Sequence, residues 1–160
     1  MNPEDYVSYP IALALKKAGF DWECDHFYEH RLDPNKARIS ASGVYGEWKN
    51  IDAFKHNFNA IDDNRHEQLL IPHCSAPTLW QAQKWLREEW GIHINVCIYS
   101  DYSTDADGKV CDRWDFWGFD LYAVSGGKQI EDGDGEYDSY ESALSAGIAA
   151  ALELIEKEGE

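Results

Sequence analysis

The segment from Cys74 to Ser100, CSAPTLWQAQKWLREEWGIHINVCIYS, constrains the fold more than any other stretch of the chain. Ser75 offers a side-chain acceptor for the free N–H groups of a helix start, and Pro77 suits a first turn because its missing donor costs nothing there. Leu79, Ala82 and Leu86 then recur at helical spacing, Trp80, Trp85 and Trp90 widen the stripe, and Gly91 suits the left-handed residue that stops a helix. Gln81, Gln83, Lys84, Arg87, Glu88 and Glu89 fit the solvated face. Past Gly91 the period changes: Ile92, Ile94, Val96 and Ile98 alternate with His93, Asn95, Cys97 and Tyr99, the signature of a strand. A helix, a stop and a strand in immediate succession specify architecture and carry no catalytic signature.

The flanking sequence extends the same logic. A first helix is expected from Ser8, with Pro10 in its first turn, Ile11, Ala14, Leu15 and Ala18 on one face, and Gly19 at its end. Trp22, Cys24, His26, Tyr28 and His30 alternate with Glu23, Asp25, Phe27 and Glu29, which suggests a strand covered on one side. Between Arg31 and His73 the signals weaken to a turn at Asp33-Pro34-Asn35, a short strand within Ile39 to Trp48, and a loop with a helical turn from Phe54 to Leu70. Asp107-Gly108 marks a hairpin tip, and a return strand runs from about Arg113 to Val124. Trp117, Phe119, Leu121 and Ala123 share one face of that strand, with Trp114, Phe116 and Tyr122 on the other. Ser125-Gly126-Gly127 turns into a short piece around Lys128 to Ile130, Glu131 to Asp138 reads as a solvated acidic loop, and Asp138-Ser139-Tyr140-Glu141 as a capping box. The last helix buries Leu144, Ile148, Ala151, Leu152 and Ile155.

These elements predict an α+β fold: an antiparallel sheet packed by about three helices, with helix, strand, strand, a short strand and helix in the C-terminal half. A length of 160 residues suits one domain, residues 1–160, with 1–73 and 74–160 as possible halves sharing a core. Four cysteines, at 24, 74, 97 and 111, lie far apart and form no CxxC, which points to reduced thiols in a cytoplasm. The opening residues have no cationic leader, and their apolar run is interrupted by Lys16 and Lys17, so neither secretion nor membrane insertion is expected.

Charge narrows the partners. The net charge is −16, and residues 101–160 hold 16 acidic side chains against four basic ones. Phosphate backbones are held by Lys and Arg that displace counterions, so direct nucleic-acid binding is not expected, and the charge suits a basic protein partner or a surface that imitates nucleic acid. The helix–strand–strand–helix order is shared with double-stranded-RNA-binding domains, but acids stand where such domains place basic residues.

Three segments, VSYPIALALKKAGFDWEC, PTLWQAQKWLREEWGIHINVCI and SYESALSAGIAAALELI, resemble a family of small uncharacterised proteins encoded by gut Bacteroides genomes, their phages and mobile elements. The likeness covers roughly the first 30 residues and most of 74–157, while Arg31 to His73 departs from it in length and aromatic content. The family has no established activity or site residues. The resemblance implies a bacterial cytoplasmic host setting and an accessory role in a mobile element; the residues themselves, with no catalytic motif, favour action through protein contacts without enzymatic activity.

Candidate chemistry is sparse, and no cofactor is expected. Cys24, His26, His73 and Cys74 supply thiolates and imidazoles of the kind zinc takes, on spacings that match no structural zinc pattern. Their metal-dependent-enzyme reading competes with simple core packing. Asp105-Ala106-Asp107-Gly108 and Asp132-Gly133-Asp134-Gly135-Glu136 have the alternating acids of a calcium loop, but counting from Ser103 the position that needs Glu holds Trp114. Cys74 beside His73 lacks a Gly-rich oxyanion turn. The better lead is aromatic: Trp114, Phe116 and Tyr122 on one strand face, joined by Tyr99 from the neighbouring strand, as a surface for a protein partner, a sugar or a base, set against their being covered by the first helix or the Arg31 to His73 segment as core. An acidic surface that imitates nucleic acid, and so occupies a host defence or DNA-binding protein, is the rival reading.

Overall fold

The computed structural model describes residues 3–30, 38–41, 71–133 and 135–159. The expected turn at Asp33 to Asn35, the stretch from Gly43 to Trp48 and the segment Phe54 to Leu70 lie outside the described residues. The fold is α+β. In chain order the elements are α1 (Tyr9–Lys17), β1 (His26–His30), β2 (Arg38–Ala41), β3 (Ile71–Ser75), α2 (Leu79–Glu89), β4 (Ile92–Thr104), β5 (Val110–Ala123), β6 (Gln129–Asp132) and α3 (Tyr140–Glu158). The strands divide into two antiparallel sheets, ordered β2-β1-β3 and β4-β5-β6. Two compact units result, one of Met1–Ala82 with Leu154–Glu160 and the other of Gln83–Glu153. No helix among the described residues is long and apolar enough to cross a membrane.

In the first unit, α1 ends as its glycine predicts. Gly19 has φ +94°, and the N–H groups of Gly19 and Phe20 return to the carbonyls of Lys16 and Leu15 at 3.1 and 2.9 Å. This pair of reverse bonds satisfies carbonyls that a helix end leaves free, and it folds Phe20 into the core. The buried face is Ala12 and Leu15, with Ile11, Ala14 and Ala18 half-buried. Regular pairing begins only at His26, so the alternation read from Trp22 is strand in its second half alone. Phe27 and Tyr28 are both buried, which covers the strand on both faces there. Tyr28 donates its hydroxyl to the Val7 carbonyl at 2.7 Å.

Helix α2 starts differently from its sequence reading. Thr78, not Ser75, is the cap: its Oγ1 accepts from Gln81 N–H at 3.1 Å while Gln81 Oε1 accepts from Thr78 N–H at 3.0 Å. This reciprocal pair satisfies two free donors, and Ser75 is spent on β3 pairing instead. Of the three tryptophans only Trp85 is buried; Trp80 and Trp90 are exposed. Gln83, read as solvated, is buried and donates Nε2–H to the Ile94 carbonyl at 2.9 Å. A polar side chain reaches the interior here because a strand carbonyl awaits it.

The second unit is built on β4 and β5, paired continuously from Ile92↔Ala123 to Ser103↔Asp112. Ile92, Ile94, Phe119 and Leu121 are buried on one face of the pair. Gly147 of α3 lets the helix approach them: a Cβ there would lie 2.6 Å from Ile94 Cγ2 and 3.2 Å from the Phe119 ring. Ser139 caps α3 with Ser142, rather than Glu141, as its partner, Ser142 N–H donating to Ser139 Oγ at 3.1 Å. Ala143, Leu144, Ile148, Ala151, Leu152 and Ile155 form the buried stripe of that helix. The acidic stretch read as loop begins as strand, Glu131 and Asp132 closing β6, and Tyr137 forms an isolated bridge in which it exchanges both backbone hydrogen bonds with Trp117, at 3.0 and 2.9 Å.

Candidate interaction surface

The β4–β5 pair outruns its hydrophobic cover. Val96 is the last inward apolar residue of β4 with appreciable burial, and from Ile98 to Thr104 and Val110 to Asp115 the ribbon is largely exposed. At the usual rise per residue the exposed part extends roughly 20 Å. An isolated two-stranded ribbon is marginal in water, so its own cross-strand contacts have to hold it. Tyr99 stacks on Phe116, ring centroids 5.8 Å apart. Ser100 hydrogen-bonds Asp115 and accepts from Arg113 Nη2 at 3.2 Å, and Ser103 meets Asp112 at 3.4 Å.

The tip is closed by Asp105. Its Oδ1 accepts from the N–H groups of Asp107 and Lys109 at 3.0 and 2.8 Å, while Gly108 at φ +79° takes the left-handed position that the turn requires. The acids read as an imperfect calcium loop therefore form a hairpin turn, and Asp105 is engaged as its cap. Asp134, in the second acidic run, lies outside the described residues.

At its base the ribbon is anchored by a polar contact. Tyr99 lies across Gly118, where a Cβ would meet the ring at 2.7 Å, and donates its hydroxyl to Asp120 Oδ2 at 2.7 Å. Asp120 is only 7% exposed, and Gln129 Nε2 reaches its other oxygen at 3.4 Å. Hydrogen bonding to Cys97, then burial, then Asp120 push the Tyr99 phenol above its usual range. A side chain larger than Gly118 would displace the ring that carries this contact.

Beside the ribbon, where β5 meets the Glu136–Asp138 segment, lies a groove of about 390 Å³. Ile98, Trp114, Asp115, Phe116, Trp117, Glu136, Tyr137 and Asp138 line it. Trp114 Nε1–H points to Glu136 Oε1 at 3.5 Å, and Trp117 meets Tyr140 edge-on with centroids 5.5 Å apart. The structure thus gathers Tyr99, Phe116 and Trp114 at one end of the sheet. Tyr122 stands apart, half-buried opposite His93, with Gly118 and Asp120 between it and Phe116 on the same face. Ile98, Tyr102, Val110 and Asp115 belong to the surface and escaped the aromatic-face reading. Their signal was the appearance of polar residues on both faces after Ile98, at Ser100, Asp101, Ser103 and Thr104.

The proposed metal ligands sit elsewhere, in the first unit. Cys24 and Cys74 are buried, and burial pushes both thiols up to about 12, against a hydrogen bond from Ser75 at Cys24 and the charge of Lys16 near Cys74. Without a metal both are protonated at neutral pH, a form that attacks carbon poorly. His26 is engaged at Nδ1 by the Tyr6 hydroxyl at 3.2 Å, and the side chain of His73 lies outside the described residues. Among the described residues no three His, Cys, Asp or Glu side chains gather in a metal-binding group. No protein-family model matches the chain, and neither a curated protein nor a solved structure is significantly similar to it.

Proposed function

We propose that this is a non-enzymatic accessory protein of a phage or mobile element that contacts a basic protein partner through the β4–β5 ribbon. One observation carries the reading: four large apolar side chains stand exposed on a single hairpin that also bears five exposed carboxylates, three on its strands and two in its turn. Tyr102 is 60% exposed, Ile98 59%, Val110 53% and Trp114 40%. Asp101, Asp105, Asp107, Asp112 and Asp115 outnumber Lys109 and Arg113 around them. Exposed aromatics supply contact area at low entropic cost, and the carboxylates supply steering and selection by charge. The net charge of −16 acts in the same direction over longer range. The mobile-element setting and the bacterial cytoplasm are supported by the resemblance in three segments and by four separated thiols.

The test is a pull-down from bacterial extract with the wild type and with a Tyr102→Ser, Trp114→Ser variant. Retention of a basic protein by the wild type, lost in the variant and weakened as salt rises from roughly 50 to about 300 mM, supports the proposal. Equal retention by both proteins, or binding indifferent to salt, counts against it. Competition by duplex DNA would further identify the partner as a nucleic-acid-binding protein for which the acidic surface is a decoy.

A further inference from the structure

We infer that the outer edge of β5 at Arg113–Asp115 receives an extended, lysine- or arginine-bearing segment of the partner as an added strand. This rests on the ribbon being the contact surface, and it states how the partner is held.

The argument starts from main-chain direction. Trp117 exchanges hydrogen bonds with Tyr137, and Phe119 accepts from Gly133 N–H at 3.0 Å, so odd-numbered residues of β5 aim their N–H and C=O away from β4. Antiparallel alternation continues that direction to Asp115 and Arg113. Among the described residues no strand pairs with this edge before Trp117, because the chain that would continue past Tyr137 turns at Ser139 into α3. An incoming segment would prolong the line that Tyr137 begins. Its alternate side chains would fall on the two faces of the ribbon, one row toward Trp114 and Phe116, the other toward Ile98 and Trp117.

Charge selects the occupant. Asp115, Glu136 and Asp138 line the groove that adjoins the edge, with no basic residue in its lining. The Asp115 and Arg113 side chains pair with each other at 3.9 Å and are 62% and 71% exposed, so an incoming cation reaches Asp115 from solvent and competes with Arg113 for it. A second copy of this chain, carrying the same −16, would be repelled, whereas a basic segment would be drawn in and its aliphatic stems would lie on the aromatic rings. The β5 edge is favoured over that of β4 because the groove and its three carboxylates lie beside it.

The probe is a synthetic octapeptide of alternating lysine and valine, compared with the same peptide N-methylated at alternate amides in each of the two registers. Binding is read by fluorescence anisotropy, and edge protection by amide hydrogen exchange in NMR. The expected result is slower exchange at the Arg113 and Asp115 amides and about a tenfold loss of affinity for one methylated register but not the other. Asp115→Pro, which removes an outward N–H at an edge that tolerates proline, should bind about tenfold more weakly than Asp115→Ala, which loses the same charge. Equal binding of all three peptides, or binding without protection of these amides, overturns strand addition while leaving the ribbon as contact surface. Absence of binding by the unmethylated peptide at low salt also overturns it, and the ribbon reading then stands or falls on the Tyr102 and Trp114 variant.

Discussion

Replacing Tyr99 by Phe isolates the contact that ties the ribbon to the sheet. The phenyl ring can keep its stacking on Phe116 and its cover over Gly118, so the change removes little beyond the hydroxyl. That hydroxyl is the short partner of Asp120, at 2.7 Å, while Gln129 stands at 3.4 Å from the other carboxylate oxygen. A hydrogen bond to a charged group contributes about 1.5–3 kcal/mol, and the half-buried position of Tyr99 places the loss in the lower part of that range. With a urea m-value of roughly 2 kcal/mol per molar, the midpoint should fall by about 1 M with the slope unchanged. Tryptophan fluorescence reports the transition, since Trp114 and Trp117 lie on the same strand pair. Adding Asp120→Ala to Tyr99→Phe should cost less than Asp120→Ala does in the wild type, because the bond is already gone. A loss below about 0.5 kcal/mol, or strictly additive effects, would refute the assignment of Tyr99 and Asp120 as the anchor.

Three other outcomes follow from the packing. Gly147→Ala should lower stability by about 1–2 kcal/mol in thermal melts, since overpacking against Ile94 and Phe119 exceeds the roughly 1 kcal/mol gained in helix propensity; a more stable variant would show that α3 is free to shift. Gln83→Ala should cost about 1–3 kcal/mol by leaving the Ile94 carbonyl without its partner, while Glu89→Ala at the exposed end of the same helix stays within about 0.5 kcal/mol. In alkali, the thiols of Cys24 and Cys74 keep their protons up to about 12 in the folded chain but only to their ordinary value of 9.0 when unfolded. The folded state therefore binds more protons between those limits, and stability should fall as pH rises through them by roughly 1 kcal/mol per pH unit for each thiol. Urea midpoints that stay flat from pH 8 to about 10.5 would contradict the burial of both groups.

The elements that sequence patterning identified are those with several agreeing signals. Gly19 and Gly91 both adopt positive φ, at +94° and +64°, where the chain leaves a helix, and β4, β5 and α3 follow their apolar periods. Helix starts were less legible, because Ser75 and Thr78 are both competent caps and only the β3 ladder decides that Ser75 is engaged elsewhere. The same ambiguity separates Glu141 from Ser142 at the start of α3. Trp80 and Trp90 illustrate a different limit: spacing on a helix assigns them a direction, but exposure depends on what the fold brings against that direction. Gln83 is the converse, a polar residue whose burial depends on a strand carbonyl eleven residues away.

The site followed the same division. Opposition of Tyr99 and Phe116 was readable once the hairpin tip was placed at Asp107-Gly108, since the turn sets the register. The outward extension of the ribbon was not readable from apolar alternation, which continues through Ile98 although burial has already ended. Tyr122 shares the even face with Trp114 and Phe116 yet lies too far along the strand to join them.

The central claim is that the exposed ribbon is where a basic partner docks. A photo-crosslinking amino acid placed at Tyr102, and separately at Trp80 as an exposed aromatic position outside the ribbon, tests it in bacterial cells. The account predicts crosslinks from Tyr102 to protein segments of net positive charge and none of comparable yield from Trp80. Crosslinks from Trp80 alone, or segments from Tyr102 that carry no net positive charge, would contradict it.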